Sequence, residues 1–157
     1  MIICAEVHSE VRRAQEQTFE QLVHIDVPSI FTGRGLIAAV EKTEPIEGDW
    51  QQAGDRRWVI MSDQSRLQER ILKIEKPHFF SYQLEKISGP LAFLVHSIEG
   101  DWIYRFNQSH QETSIHWRYN FRARSALVYP LAWCFVRMIW MPYMRQVIKK
   151  INTVLSP

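Results

Sequence analysis

The segment LVHSIEGDWIYRFNQSHQETSIHWRYNFRAR, residues 94–124, contains two long alternating stretches joined by the polar loop NQSHQ. Alternation of apolar and polar residues is the period of a β-strand with one buried face. Because the loop between the stretches is short and polar, they predict an antiparallel hairpin. Its inward-facing residues would be Trp102, Tyr104, Phe106, Ile115, Trp117, Tyr119 and Phe121. The hairpin would therefore present a broad aromatic face to the interior.

Strand-like sequence continues upstream of this hairpin, from Ala38 onward. RLQERILKIEKP (66–77) and HFFSYQLEKI (78–87) alternate in the same way, and the turn sequences GDWQQAGD (48–55) and SDQS (62–65) separate further strands. The inward-facing residues of the two alternating stretches would be Leu67, Glu69, Ile71, Phe80, Tyr82 and Leu84. Six strands are predicted between Ala38 and the end of the hairpin.

Helical sequence lies on both sides of these strands. Residues 2–13 predict a first strand, and residues 15–27 change to helical spacing until Pro28 ends or bends the run. SIFTGRGL (29–36) predicts a second short helical turn or loop. The last segment, ALVYPLAWCFVRMIWMPYMRQVIKKINTVL (126–155), has no glycine and predicts one long helix. The order of strand, two short helices, six strands and long helix indicates an α+β fold, with residues 1–157 forming a single domain.

The composition and the spacing of cysteines and histidines argue against several classes of function. The 19 basic and 17 acidic residues are interspersed and give a net charge of +2, so no basic face for nucleic acid is predicted. Cys4 and Cys134 have no metal-binding or redox spacing, and the six histidines show no HxH or HxxxH pattern, so no metal and no cofactor are expected. Free thiols and an N-terminus unlike a signal peptide favour the cytoplasm.

The chain resembles the START-like helix-grip superfamily, of the SRPBCC type, in its polyketide cyclase/dehydrase and lipid-transport branch. The resemblance rests on EQTFEQLVHIDVPSIFT, LQERILKIEKPHFFSYQL, GDWIYRF, TSIHWRYNF and the long final helix, and it spans nearly the whole chain. It implies a seven-stranded curved antiparallel sheet wrapped around the C-terminal helix over a cavity. The superfamily includes carriers, receptors and cyclases, so the fold alone leaves the chemistry open.

The predicted pocket combines the inward faces of the strands with one stripe of the final helix. An apolar stripe drawn at about 100° per residue passes through Met144, Trp140, Arg137 and Trp133. Arg137 would either reach a cavity mouth or shift around because of Pro142, or point inward to pair with Glu69 or an anionic ligand group. The predicted ligand-binding residues are Glu69, Phe80, Tyr82, Leu84, His96, Trp102, Tyr104, Phe106, Trp117, Tyr119, Trp133, Arg137 and Trp140.

Three functions fit these observations. The first is a carrier or sensor of a hydrophobic or amphipathic small molecule. The second is an enzyme of the cyclase/dehydratase type, in which Glu69, Tyr82, His96 or Arg137 would move protons. The third is an interaction module, because the first half of the final helix is also apolar on its opposite side, which predicts a homodimer or transient membrane contact. That side contains Leu131, Phe135, Met138, Ile139 and Pro142.

Overall fold

The structure, a computed structural model, describes residues 1–156 and consists of one antiparallel sheet, four α-helical segments, a 3₁₀ helix at Pro90–Phe93 and a π-helical turn. The seven strands lie in the order β1-β7-β6-β5-β4-β3-β2. Their bounds are β1 Ile2–Val11, β2 Val40–Glu47, β3 Arg56–Met61, β4 Arg66–Glu75, β5 Phe79–Glu85, β6 Val95–Asn107 and β7 Glu112–Ala123. The helices are α1 Gln15–Val23, α2 Val27–Ile30, α3 Tyr129–Phe135 and α4 Met141–Leu155. The predicted α+β helix-grip architecture is confirmed.

The hairpin of β6 and β7 forms the centre of one half of the sheet. Along β7, buried and partly exposed side chains alternate without a break from Thr113 to Phe121. Trp117 stands opposite Trp102 of β6 on one side and Val7 of β1 on the other. All three side chains are buried, so the inward face predicted for this hairpin is confirmed except at Phe106, which is exposed near the end of β6.

The chain from Tyr129 to Leu155 forms one closing helix, in which α3 and α4 are joined by a π-helical turn, Val136–Trp140. It begins three residues later than predicted, because residues 126–128 form a turn. The buried stripe of this closing helix contains Ala132, Val136, Trp140, Tyr143, Met144, Val147, Ile148, Ile151 and Leu155. Within residues 1–156, none of the helices is long and apolar enough to cross a lipid bilayer.

The π-helical turn changes which residues of the closing helix face the sheet. A π-helical turn is wider than an α-helical one, so residues four apart stay on one side through it. The buried stripe therefore passes from Met144 and Trp140 to Val136 and Ala132. The predicted continuation through Arg137 and Trp133 is wrong, since both side chains are exposed and the Arg137 guanidinium lies 5.7 Å from the Trp133 ring.

Candidate functional site

A cavity of about 430 Å³ lies between the sheet and the closing helix, in the half of the molecule formed by β2, β3 and β4. The strands contribute Val40, Val59, Met61, Leu67, Glu69, Leu84, Ile98 and Tyr119. The closing helix contributes Leu131, Phe135, Ile139, Trp140 and Tyr143. The loops and α2 contribute Val27, Phe31, Leu36, Ile37, Ala38, Ile87, Pro90, Leu91 and Leu94. Most of the surface available to a bound molecule is therefore apolar.

One ion pair borders this apolar space. Arg57 of β3 stands opposite Glu69 of β4, and its Nε donates a hydrogen bond of 2.7 Å to Glu69 Oε2. The Arg57 guanidinium also lies 3.9 Å from the centre of the Trp50 ring. The two side chains are only 17% and 10% exposed, so each charge depends on the other for compensation. Glu69 thus lines the cavity as a carboxylate that is already held by the protein.

The other half of the interior is filled by an aromatic layer, defined here as Phe80, Tyr82, Trp102, Tyr104 and Trp117. The rings of Trp102 and Trp117 stack with centroids 4.8 Å apart and an angle of 6° between their planes. The Trp117 ring meets the Tyr119 ring edge-on at 5.1 Å. Since Tyr119 borders the cavity, the aromatic layer forms the floor behind it.

Two tyrosines join this floor to the cavity wall across a glycine. Tyr82 and Tyr119 flank Gly100 on neighbouring strands, and their hydroxyl oxygens lie 2.8 Å apart. A β-carbon at Gly100 would lie only 2.6 Å from Tyr119 Cε1 and 2.7 Å from Tyr82 Cζ, so the absence of a side chain lets the rings close over β6. Burial raises the pKa of both phenols well above the ordinary range, so both are neutral donors at neutral pH.

The structure divides the predicted site residues into three groups. Glu69, Leu84, Tyr119 and Trp140 line the cavity. Phe80, Tyr82, Trp102, Tyr104 and Trp117 are buried but belong to the aromatic layer behind it. The predicted inward positions of His96, Phe106 and Trp133 are wrong, because these side chains are exposed and do not line the cavity. Arg137 is exposed as well, which agrees with the alternative in which it shifts around the helix and not with the one in which it points inward to pair with Glu69.

Each misplaced residue has a local cause. His96 is the unpaired residue of an irregularity between Val95 and Ser97 in the pairing of β6 with β7, and its side chain is exposed. Phe106 is the second-last residue of β6, and its side chain is 37% exposed. Trp133 and Arg137 are turned outward by the π-helical turn described above.

Several cavity residues were not predicted from the sequence. Ile87, Pro90, Leu91 and Leu94 come from the β5–β6 connection, where alternation gives no guide to direction. Phe31 and Ile37 flank the GRG sequence, and only their apolar character beside a turn could have indicated them. Tyr143 accepts a hydrogen bond of 3.2 Å from the Gly33 amide, which attaches this loop to α4.

Replacing Arg57 by methionine should lower the free energy of unfolding by about 3 kcal/mol, because Glu69 would remain buried without its partner. The double variant Arg57→Met/Glu69→Leu removes both charges and should recover most of that loss. Urea unfolding of the two single variants, the double variant and the original chain would complete the cycle.

The exposed pair of Arg56 and Glu47 provides a matched control on the same strand. Its side chains are 33% and 66% exposed, so Arg56→Met should change the free energy of unfolding by no more than about 1 kcal/mol. Equal losses for Arg57→Met and Arg56→Met would contradict the assignment of Arg57–Glu69 as a buried, mutually dependent pair.

Known proteins resemble this chain in fold but not in sequence. No family model matches the chain, and no curated protein matches it in sequence. Ginseng major latex-like protein 151 from Panax ginseng superposes with a TM-score of 0.72 at 13% identity, covering 100% of this chain and 99% of that one. Ara h 8.0201 superposes with a TM-score of 0.66 at 13% identity, covering 99% and 98%. A protein of Nitrosospira multiformis gives 0.69 at 10% identity, covering 98% and 96%.

These similarities define the class of fold. A seven-stranded antiparallel sheet closed by a long C-terminal helix, with short helices after β1, is the START-like helix-grip fold of the Bet v 1-like and major latex-like proteins. The predicted resemblance is therefore confirmed at the level of the fold. Identities of 10–13% are informative about architecture alone, so the function must be argued from the cavity itself.

Proposed function

We propose that this protein is a carrier or sensor that binds a hydrophobic or amphipathic small molecule in the cavity between the sheet and the closing helix. The observation that supports this most directly is an apolar space of about 430 Å³. Small-molecule sites usually measure about 300–1,000 Å³ and combine apolar walls with a few polar groups. Burial of apolar ligand surface would supply the main driving force, at about 25 cal/mol per Å².

The distribution of polar groups favours one orientation of an amphipathic ligand. Asp63, Ser65, Arg66 and Ser88 border the cavity at the turns that end the strands. Among the described residues that line the cavity, Arg66 is the only arginine or lysine, and its side chain is exposed. The apolar part of a ligand would therefore lie between sheet and helix, with a polar or anionic head near this mouth, where water remains available.

The enzyme alternative has less support. A cyclase or dehydratase needs a group that can accept or donate a proton at the substrate. Glu69 is held by Arg57, and the raised pKa of Tyr119 makes its phenol a poor base at neutral pH. These groups can orient a ligand by hydrogen bonding, which suits binding without chemistry. Contact with a membrane or a second copy through the exposed Leu131 and Met138 stays a prediction.

Ala38→Trp should weaken ligand binding about tenfold or more. Ala38 lines the cavity, and an indole there would occupy space that a ligand needs. A loss of about 60 Å² of apolar contact corresponds to about 1.4 kcal/mol, which is tenfold in affinity. Titration with a fluorescent long-chain fatty acid and with a neutral apolar dye of similar length would measure this effect.

Ala53→Trp makes the same chemical change at an exposed turn away from the cavity and should leave binding unchanged. Near-ultraviolet circular dichroism would establish that both variants are folded. Equal affinity of the two variants and the original chain for both probes would rule out the cavity as the binding site. Native mass spectrometry of protein purified from its own host would identify a retained ligand, and a chemically altered product after incubation would favour the enzyme.

A further inference from the structure

Three potential metal ligands meet on the outer face of the sheet, away from the cavity. His8 of β1 stands directly opposite His116 of β7, and their rings stack with centroids 4.1 Å apart. His116 Nε2 lies 2.8 Å from Glu6 Oε2. One nitrogen or oxygen from each of the three side chains lies within 4.8 Å of those of the other two. Glu6 and His8 are exposed and His116 is partly exposed, so the cluster can be reached from solvent.

Charged residues of both signs surround this cluster. Glu10 lies on the same face of β1, on the other side of His8 from Glu6. Arg118 stands opposite Glu6 but donates hydrogen bonds of 2.7 and 3.1 Å to Asp101 Oδ2. Arg145 and Lys149 of α4 line the same groove beside β1 as Glu6 and His8. A cation would therefore be held by direct coordination to the three side chains and not by the surrounding field.

We propose that Glu6, His8 and His116 bind a divalent transition-metal ion of the zinc class. Imidazole nitrogen and carboxylate oxygen both ligate zinc at about 2.0–2.2 Å, which places neighbouring ligands about 3.4 Å apart in a tetrahedron. The His8 and His116 rings, which now stack with 18° between their planes, would have to turn so that one nitrogen of each faces the ion, and the 2.8 Å contact of His116 with Glu6 would have to open to this spacing. Three protein ligands would leave the fourth position to water. Copper and nickel prefer the same ligand types, so the metal class rather than one element is assigned.

The bound ion would join two strands that are distant in sequence. Within the described residues 1–156, β1 is an edge strand of the sheet and pairs only with β7, so a metal bridge from Glu6 and His8 to His116 would strengthen that one attachment. Spacing along the chain predicted no metal site because the ligands come from different strands. Only the register, which places His8 opposite His116, brings them together.

Isothermal titration calorimetry with zinc chloride, on the full chain without a histidine tag, tests this proposal. One zinc ion should bind per chain, and the melting temperature should rise with it. His8→Gln and His116→Gln should each weaken zinc binding by about tenfold or more. Removing a group that merely orients a metal ligand costs about tenfold or more in affinity, and removing the ligand itself should cost at least as much. The histidine ring resonances that shift in nuclear magnetic resonance spectra during the titration should be those of His8 and His116.

Two control variants make the assignment specific. His24→Gln removes a histidine that pairs with a single carboxylate, Glu20, at 3.7 Å, and it should leave zinc affinity unchanged. Cys4→Ser removes an exposed thiol on the same face of β1, and it should also have no effect. Failure of the original chain to bind zinc, copper or nickel ions would overturn the proposal. So would equal weakening by the control variants, or binding that His8→Gln and His116→Gln leave intact.

Discussion

We expect the free energy of unfolding to fall steeply above pH about 10, by about 4 kcal/mol per pH unit from the three most enclosed tyrosines, because they must ionise when the chain unfolds. Tyr143, whose pKa is also raised by burial, adds to this loss. Tyr82, Tyr104 and Tyr119 are all fully enclosed, and burial is the largest cause of the raised pKa of each phenol. In the unfolded chain these phenols ionise near pH 10. The stability that they contribute is therefore complete below pH about 10 and is lost as the pH rises toward their higher folded-state pKa values.

Comparison of the original chain with Tyr104→Phe isolates one tyrosine. The phenylalanine keeps the ring that packs edge-on against Phe19 at 5.2 Å but cannot ionise. Urea unfolding at a series of alkaline pH values should give a slope that is shallower by about 1.4 kcal/mol per pH unit in the variant. Identical slopes for the two proteins would mean that Tyr104 ionises as readily folded as unfolded, contrary to its burial.

We expect Trp140→Ala to lower the free energy of unfolding by about 3–5 kcal/mol, the usual range for truncating a buried tryptophan. Trp140 is the aromatic side chain through which the closing helix packs on the sheet. Its ring stacks on Tyr119 at 5.6 Å with 19° between the planes, and it meets Phe121 edge-on at 5.6 Å. Because Trp140 also lines the cavity, its truncation to alanine would enlarge that cavity. The neighbouring side chains would not collapse to fill the added space. Urea unfolding measures the loss.

Two further substitutions make this test sharper. Trp140→Phe keeps a ring and removes the buried Nε1, which has no hydrogen-bond partner within residues 1–156, so its loss should be much smaller than that of alanine. Trp133→Ala changes an exposed tryptophan on the same helix and should stay within about 0.5 kcal/mol. A comparable loss for Trp133→Ala and Trp140→Ala would contradict the observed phase of the closing helix.

The strands could be predicted well because alternation depends on local geometry alone. Successive strand side chains point to opposite faces, so the apolar set of ETSIHWRYNF had to face the interior together. The same rule placed Glu69 and Leu84 on the concave side. It could not tell which inward side chains would fill the interior and which would border empty space. That distinction depends on how the sheet curves, and it separates Trp117 in the aromatic layer from Tyr119 at the cavity.

The closing helix shows where sequence patterns were insufficient. A stripe drawn at a constant angle assumes an unbroken α-helix, and the π-helical turn at Val136–Trp140 violates that assumption. Pro142 indicates an irregular helix, but the sequence does not specify the size or direction of the irregularity. Leu131, Phe135 and Ile139, predicted on the outer side, consequently line the cavity. Of these, Leu131 is also 63% exposed, and Met138, which does not line the cavity, is 72% exposed.

The contact of Tyr82 and Tyr119 across Gly100 restricts which substitutions the protein can accept at position 100. Every missense change at that codon introduces a β-carbon where two phenol rings already occupy the space. Accommodation would require both rings to move, and with them the 2.8 Å hydroxyl contact that ties the cavity wall to the layer behind it. A substitution at position 100 is therefore expected to be accepted only when both tyrosine neighbours change or move with it.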